Sequence, residues 1–123
     1  MLRKVLYSKI HGARVTGAAP DYTGSITLDA HLLEQAGLRV GDAVLVANCR
    51  NAERFETYVL RGEPGSGAVV VNGAAAHLVE IGDKLLILHF ALLDADEYRQ
   101  HRPKVLVLRD DNSVERVLRY EPA

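Results

Sequence analysis

Cysteine is nearly missing from this chain: Cys49 is the one thiol in 123 residues. No disulfide can close within the chain, which fits a reducing compartment and makes the cytoplasm the expected location. A surplus of one charge is missing too, with 15 Lys and Arg against 16 Asp and Glu for a net charge of -1. Proteins that track phosphate backbones gather Lys and Arg on one face, so nucleic acid is not an expected partner and a DNA-binding domain is disfavoured. Long hydrophobic runs are lacking as well. The greasiest stretch, Leu85 to Leu93, is broken by His89 and falls far below the ~20 residues of a membrane helix. The opening MLRKVLYSKIHGARV interleaves charges with apolar residues and has no small-residue cleavage site. It therefore reads as part of a fold with no membrane partner, not as a signal peptide.

The usual cofactor fingerprints are also absent. His11, His31, His77, His89 and His101 have neither His-x-x-x-His spacing nor paired cysteines beside them, so no metal is expected. No Gly-x-Ser-x-Gly and no dinucleotide signature occurs. RGEPGSG at 61–67 is rich in glycine but lacks the Gly-Lys-Ser/Thr ending and following helix of a phosphate loop. It reads as a hairpin connection.

What remains is a succession of short apolar stretches punctuated by Gly, Pro, Asn and Asp, the pattern of a mainly β protein in one domain. Strands are expected over Arg3 to Ile10, Arg14 to Thr16, Ser25 to Leu28, Ala43 to Asn48, Phe55 to Leu60, Ala68 to Val71, Lys84 to Phe90, Val105 to Leu108 and Ser113 to Tyr120. One helix stands out, capped by Asp29, carrying Leu32, Leu33 and Ala36 on one side and ended by Gly37. A second, short helix is expected across Asp94 to Arg99, ahead of Pro103. VGDAVLV at 40–46 and IGDKLLI at 81–87 repeat one pattern, a glycine turn into a buried strand. The two copies suit either related halves of one fold or two ordinary turn-to-strand entries.

Four stretches could carry chemistry. In DYTGSITLD the Ser25 hydroxyl follows the Gly24 carbonyl and could attack it in a distorted peptide, since positioning alone can supply ~7–11 kcal/mol of a barrier; taken alone, an ordinary Gly-Ser turn is the plain explanation of the pair. In ERFETYVL strand alternation puts Arg54, Glu56 and Tyr58 on one face and Phe55, Thr57 and Val59 on the other. A carboxylate fork beside a phenolic proton donor would result, or simply an exposed strand face. In VVVNGAAAHLVEIGD, Asn72-Gly73 signals a turn, and Ala74, Ala75 and Ala76 are small enough for a chain or ligand to reach the backbone N–H groups, although a closely packed hairpin or helix start is the plain explanation. SKIHG puts Lys9 and His11 on one strand face, where solvated surface is the plain explanation.

Taken in order, MLRKVLYSKIHGARVT, YTGSITLD, RFETYVL and VNGAAAHLVEIGD resemble the pyruvoyl-dependent L-aspartate 1-decarboxylases, from residue 1 to about residue 103. That resemblance implies a six-stranded double-psi β-barrel with small helices, assembled as a homotetramer with active sites between subunits. It implies self-cleavage between Gly24 and Ser25 into 1–24 and 25–123, with Ser25 becoming a covalent pyruvoyl group. The implied reaction converts L-aspartate to β-alanine and carbon dioxide through a Schiff base on that group, feeding pantothenate and coenzyme A synthesis. By position, Thr57 would assist self-cleavage with His11 and Tyr22 in support. Lys9, Arg54 and Thr57 would line the substrate, Tyr58 would protonate it, and Asn72 with Gly73, Ala74 and Ala75 would orient it. An accessory maturation protein is a further partner the resemblance allows. Asp21 and Thr23 depart from the family's usual residues beside the scissile bond. A catalytically silent double-psi barrel serving as a binding module is the alternative reading.

Overall fold

Backbone-capping chemistry is the most local determinant here, and it sets the two helices. The computed structural model describes residues 1–121. Helix α1 (Ala30–Ala36) begins at Asp29, whose carboxylate accepts from His31 N–H, and ends at Gly37, which takes the left-handed conformation at φ 71°. It buries Ala30, Leu32, Leu33 and Ala36. Asp29 also receives the backbone N–H groups of Gly65 and Gly67 at 3.1 and 2.8 Å. Burial by itself would raise this carboxyl, but the N–H donors of Gly67, His31 and Gly65 outweigh it and hold the group below its ordinary value. Helix α2 (Ala95–Gln100) starts with a reciprocal capping box between Asp94 and Glu97. No helix among the described residues is long and apolar enough to cross a membrane.

The strands are β1 (Arg3–Arg14), β2 (Gly17–Ala19), β3 (Ser25–Asp29), β4 (Ala43–Asn48), β5 (Arg54–Gly62), β6 (Val69–Asn72), β7 (Lys84–Leu93), β8 (Lys104–Leu108) and β9 (Val114–Arg119), with a 3₁₀ helix (Gly73–Leu78) after β6. They run β2-β6-β3-β5-β4-β7-β1-β8-β9 across the sheet. Because β1 continues into β2, and Thr16 N–H donates to Val69 O at 2.8 Å, the sheet closes on itself. Six strands make that ring: β1 with its continuation, then β6, β3, β5, β4 and β7. The β8–β9 hairpin extends the sheet beyond it, alongside β1. The expected six-stranded barrel is thus present, built from the seven segments β1 to β7, with β8 and β9 added outside it. Inside sit Ile10, Ile26, Leu28, Val44, Val46, Val59, Val69, Val71, Leu85 and Ile87, each 1% exposed or less.

Two sequence expectations are corrected. Arg14 to Thr16 is not a strand of its own. Gly12 at φ 87° accompanies a register shift between His11 and Ala13, so β1 absorbs an extra residue and runs on to Arg14. RGEPGSG is not a hairpin, because β5 and β6 never pair; both flank β3, β5 in parallel and β6 antiparallel. The loop crosses over β3 instead, and nothing local to 61–67 distinguishes the two routes.

The Gly-Asp repeat marks two related halves. Gly41 N–H donates to Val59 O at 2.9 Å and Val59 N–H to Asp42 O at 3.1 Å; in the second copy Gly82 N–H donates to Val15 O at 2.8 Å and Val15 N–H to Asp83 O at 2.9 Å. Both glycines have φ 94°. Asp42 Oδ2 accepts from Arg39 N–H, and Asp83 Oδ2 from Glu80 N–H, at 2.8 and 2.9 Å. The strands these turns open, β4 and β7, lie side by side. Only the second copy carries a buried network: Asp83 also binds Asn48 Nδ2 at 2.8 Å and Arg50 Nε at 2.7 Å. Burial would raise the Asp83 carboxyl, yet its hydrogen bonds from Arg50, Asn48 and Glu80 together hold it below its ordinary value.

Candidate active site

Strand β3 is the base of the site, since its two neighbours bring distant segments to its first residue. In the antiparallel ladder Ser25 faces Asn72, and in the parallel one Ile26 faces Val59. Following the second register back by two residues brings Thr57 level with Gly24. Asp21 to Gly24 are exposed in the turn ahead of β3, whereas Ser25 is 1% exposed. The hydroxyl there is fully engaged: Ser25 Oγ donates to Thr23 O at 3.1 Å and accepts from Asn72 Nδ2 at 2.9 Å. Asn72 Nδ2 also reaches Thr27 Oγ1 at 3.2 Å, so the amide is held from two sides.

The 3₁₀ helix seals the turn from the other direction. Gly73 is buried in the left-handed region at φ 76°, and a Cβ on it would stand 2.5 Å from Gly24 Cα, 2.8 Å from Gly24 N and 3.2 Å from Tyr22 O. Only a bare Cα lets these two backbones meet. The close approach in this segment falls at Gly73, ahead of the alanines, and its partner is the chain's own Gly24.

Next to this contact opens a groove of about 560 Å³, lined by Gly24, Thr57, Tyr58, Asn72, Ala74 and Ala75 of the expected residues. Tyr58 is 38% exposed and Thr57 half-buried. Phe55, Glu56 and Leu78 complete the wall; none was singled out as a site residue from sequence. Glu56 did carry a signal, since it lies between Arg54 and Tyr58 on one strand face. Phe55 and Leu78 carried none beyond being apolar.

Other expected residues lie elsewhere in this one chain. Arg54 is exposed at the start of β5, four residues or ~13 Å of strand from Tyr58, and it does not line the groove. Tyr22 has its side chain 59% exposed, reaching the site through its backbone only. Lys9 and His11 are half-buried on β1, opposite Leu88 and Leu86 of β7. Burial first, then the neighbouring ammonium groups of Lys9 and Lys84, push the His11 imidazole below its ordinary value. The groove of a single chain thus holds one charged lining residue, Glu56, and no cation. Among the described residues no group of three His, Cys, Asp or Glu is placed to hold a metal ion.

Residues 1–115 match the family model described as aspartate decarboxylase. The chain is similar to aspartate 1-decarboxylase of Caldicellulosiruptor saccharolyticus, 51% identical over 114 residues that cover 93% of this chain and 89% of that protein. It is similar to the enzyme of the same name from Bacillus licheniformis, 44% identical over 123 residues covering 100% of this chain and 97% of that protein. Among solved structures, the crystal structure of the rationally designed mkDPBB_sym_86 protein, a double-psi β-barrel, aligns with a TM-score of 0.51 at 23% identity, covering 72% of this chain and 98% of that one. That last likeness speaks to the fold.

Proposed function

The chain belongs to the aspartate decarboxylase family, and from that premise we propose that it is an aspartate 1-decarboxylase that makes its own catalytic group at Ser25. The observation that carries this reading is the buried Ser25 hydroxyl, held between Asn72 and Thr23 directly behind a Gly24 that packs on the bare Cα of Gly73.

The self-processing step uses groups of this chain. Ser25 Oγ attacks the Gly24 carbonyl carbon, the C–N bond breaks, and the freed nitrogen takes up a proton, so an amide becomes an ester. Loss of the Ser25 α-proton then expels the Gly24 carboxylate, leaving a dehydroalanine whose nitrogen departs as ammonia on reaction with water. The result is fragment 1–24 and a pyruvoyl-headed fragment 25–123. Thr57, level with Gly24 across β3 and β5, is the group we assign to assist the first transfer. The residues present fit such a group, because the space beside Gly24 would be filled by a Cβ at position 73 and the groove is walled by Phe55, Leu78 and small alanines.

A pyruvoyl carbonyl supplies an electrophile for the substrate amine and a sink for the electrons that decarboxylation releases. Tyr58 would hold the proton destined for the substrate Cα, and Asn72 with the backbone N–H groups of 73–75 would orient the substrate. L-Aspartate brings two carboxylates, and the groove of one chain offers them no cation. We assign that task to Arg54, as a bidentate partner, and to Lys9. Both stand outside the groove of one chain, which supports sites completed between subunits, as in the homotetramer the family resemblance implies.

Intact-mass measurement of purified protein tests the proposal. The expected result is two chains, the larger lighter than simple hydrolysis gives by one ammonia and blocked at its amino end. Borohydride with aspartate should leave an adduct on the larger chain. A single uncut species after prolonged warming, with no β-alanine formed from aspartate, overturns it.

A further inference from the structure

A second concavity, of about 340 Å³, shares no residue with the groove and is lined by Tyr7, Ser8, His101, Arg102, Lys104 and Arg119 beside the end of α1. Four of these six side chains are basic or can become so, and no carboxylate lines the space. Two features are costly unless something else is meant to sit here. Lys104 and Arg119 face each other directly across β8 and β9, and like charges in opposite positions of a ladder repel. Ser8, 1% exposed, has an Oγ with no hydrogen-bond partner, the one such buried side-chain atom among the described residues. Native interiors rarely leave a hydroxyl unpaired.

The remaining groups are donors held in place. Lys104 Nζ is anchored on Gln35 O at 2.7 Å, which uses one of its three protons. Arg102 Nε pairs with Glu121 at 3.1 Å while its remaining nitrogen bonds go to the carbonyls of Arg99 and Gln100. The ring of Tyr7 stacks on His101, with centroids 5.1 Å apart and planes 14° from parallel, and also packs over Gly37. His101 Nε2 lies 3.0 Å from Leu6 O, which fixes it as the donor and turns Nδ1 elsewhere. Neither the Tyr7 hydroxyl nor the Arg119 guanidinium meets a hydrogen-bond acceptor among the described residues.

We propose that this pocket binds a small anion, a phosphate or carboxylate group held between Lys104 and Arg119 with Ser8 and Tyr7 as neutral donors. The anion would relieve the repulsion of the cross-strand cations and give the buried hydroxyl a partner. Charge-assisted bonds of this kind are the strong ones. The volume lies at the lower end of that seen for small-molecule sites, which suits a compact metabolite, not a nucleotide.

Calorimetric titration with inorganic phosphate and, separately, with malonate, at ionic strength held constant with sodium chloride, tests the site. Saturable binding of at least one anion is expected. Lys104→Gln with Arg119→Gln should weaken it about 10-fold or more, while Arg39→Gln, which removes an exposed charge that does not line the pocket, should not. Ser8→Ala should weaken binding without lowering the melting temperature of the anion-free protein, since it deletes a hydroxyl that bonds nothing. In the unaltered protein, phosphate should shift the amide resonances of Ser8, Gly37 and Arg119. Phosphate alone binding points to a phosphate ester, malonate alone to a carboxylate, and both alike to recognition by charge. No saturable heat with either anion, or equal weakening by Arg39→Gln, overturns the proposal. So does binding unchanged in the Lys104→Gln, Arg119→Gln protein.

Discussion

Gly73 and Gly24 touch through their backbones, leaving 2.5 Å between the Gly24 Cα and the place a Cβ on residue 73 would occupy. Gly73→Ala meets two obstacles at once. Its φ of 76° costs an L-residue about 1–2 kcal/mol, and the methyl group strikes backbone that cannot swing away. We expect a lowered melting temperature together with a Gly24–Ser25 bond that stays intact by mass spectrometry. Cleavage at the normal rate in Gly73→Ala would show that this contact does not position the bond.

Thr57 and Tyr58 are neighbours in sequence with separate proposed tasks, so their variants should part company. Thr57→Val is expected to leave the chain uncut. Tyr58→Phe should process fully and then turn over aspartate some 10²–10⁴-fold more slowly, the usual worth of a proton donor. Mass spectra and β-alanine release on the same samples separate the two. Processing lost in Tyr58→Phe, or full activity in it, would sink the division of labour.

The Asp83 carboxylate serves Asn48, Arg50 and Glu80 N–H together. Its folded-state value lies below the ordinary one, so the unfolded chain takes up the proton first. The stabilisation is complete above the ordinary carboxylate value of about 3.9 and fades as the pH falls through the folded one. Asp83→Asn should cost about 1–3 kcal/mol at neutral pH, and the gap to the unaltered protein should narrow on acidification. Urea titrations across that range measure it; a gap independent of pH would contradict the network.

Substrate length provides a check on the cation. If Arg54 sets the distance to the retained carboxylate, glutamate, longer by one methylene, should react roughly 10–200-fold less well than aspartate in kcat/KM. Arg54→Ala should erase most of that preference. Equal rates on the two amino acids would mean that another group measures the substrate.

Much of the fold was legible because its signals are short-range. Asp29 and Gly37 bracket α1 where the sequence places them, and β4 spans Ala43–Asn48 as read from its apolar run behind the Gly41-Asp42 turn. The paired Gly-Asp turns were visible as seven-residue echoes, although only their matching hydrogen bonds distinguish related halves from coincidence. The same local reading mistook 61–67 for a hairpin, because which strand a chain returns beside depends on β3, some forty residues upstream. The site divides along the same line. Ser25, Thr57, Tyr58 and Asn72 could be named from motif order, while Phe55, Glu56 and Leu78 as its walls could not.

Residue chemistry alone determined where this chain turns, where its helices start and stop, and which peptide bond sits beside a hydroxyl. All of that is decided within a few residues by caps, by glycine's freedom and by the two-residue period of strands. Tertiary structure decided that the hydroxyl is buried on Asn72, that Gly73 presses on Gly24, and that Arg54 and Lys9 lie outside the groove of their own chain. Those facts depend on how six strands close around a shared interior, and burial is a property of the closed ring.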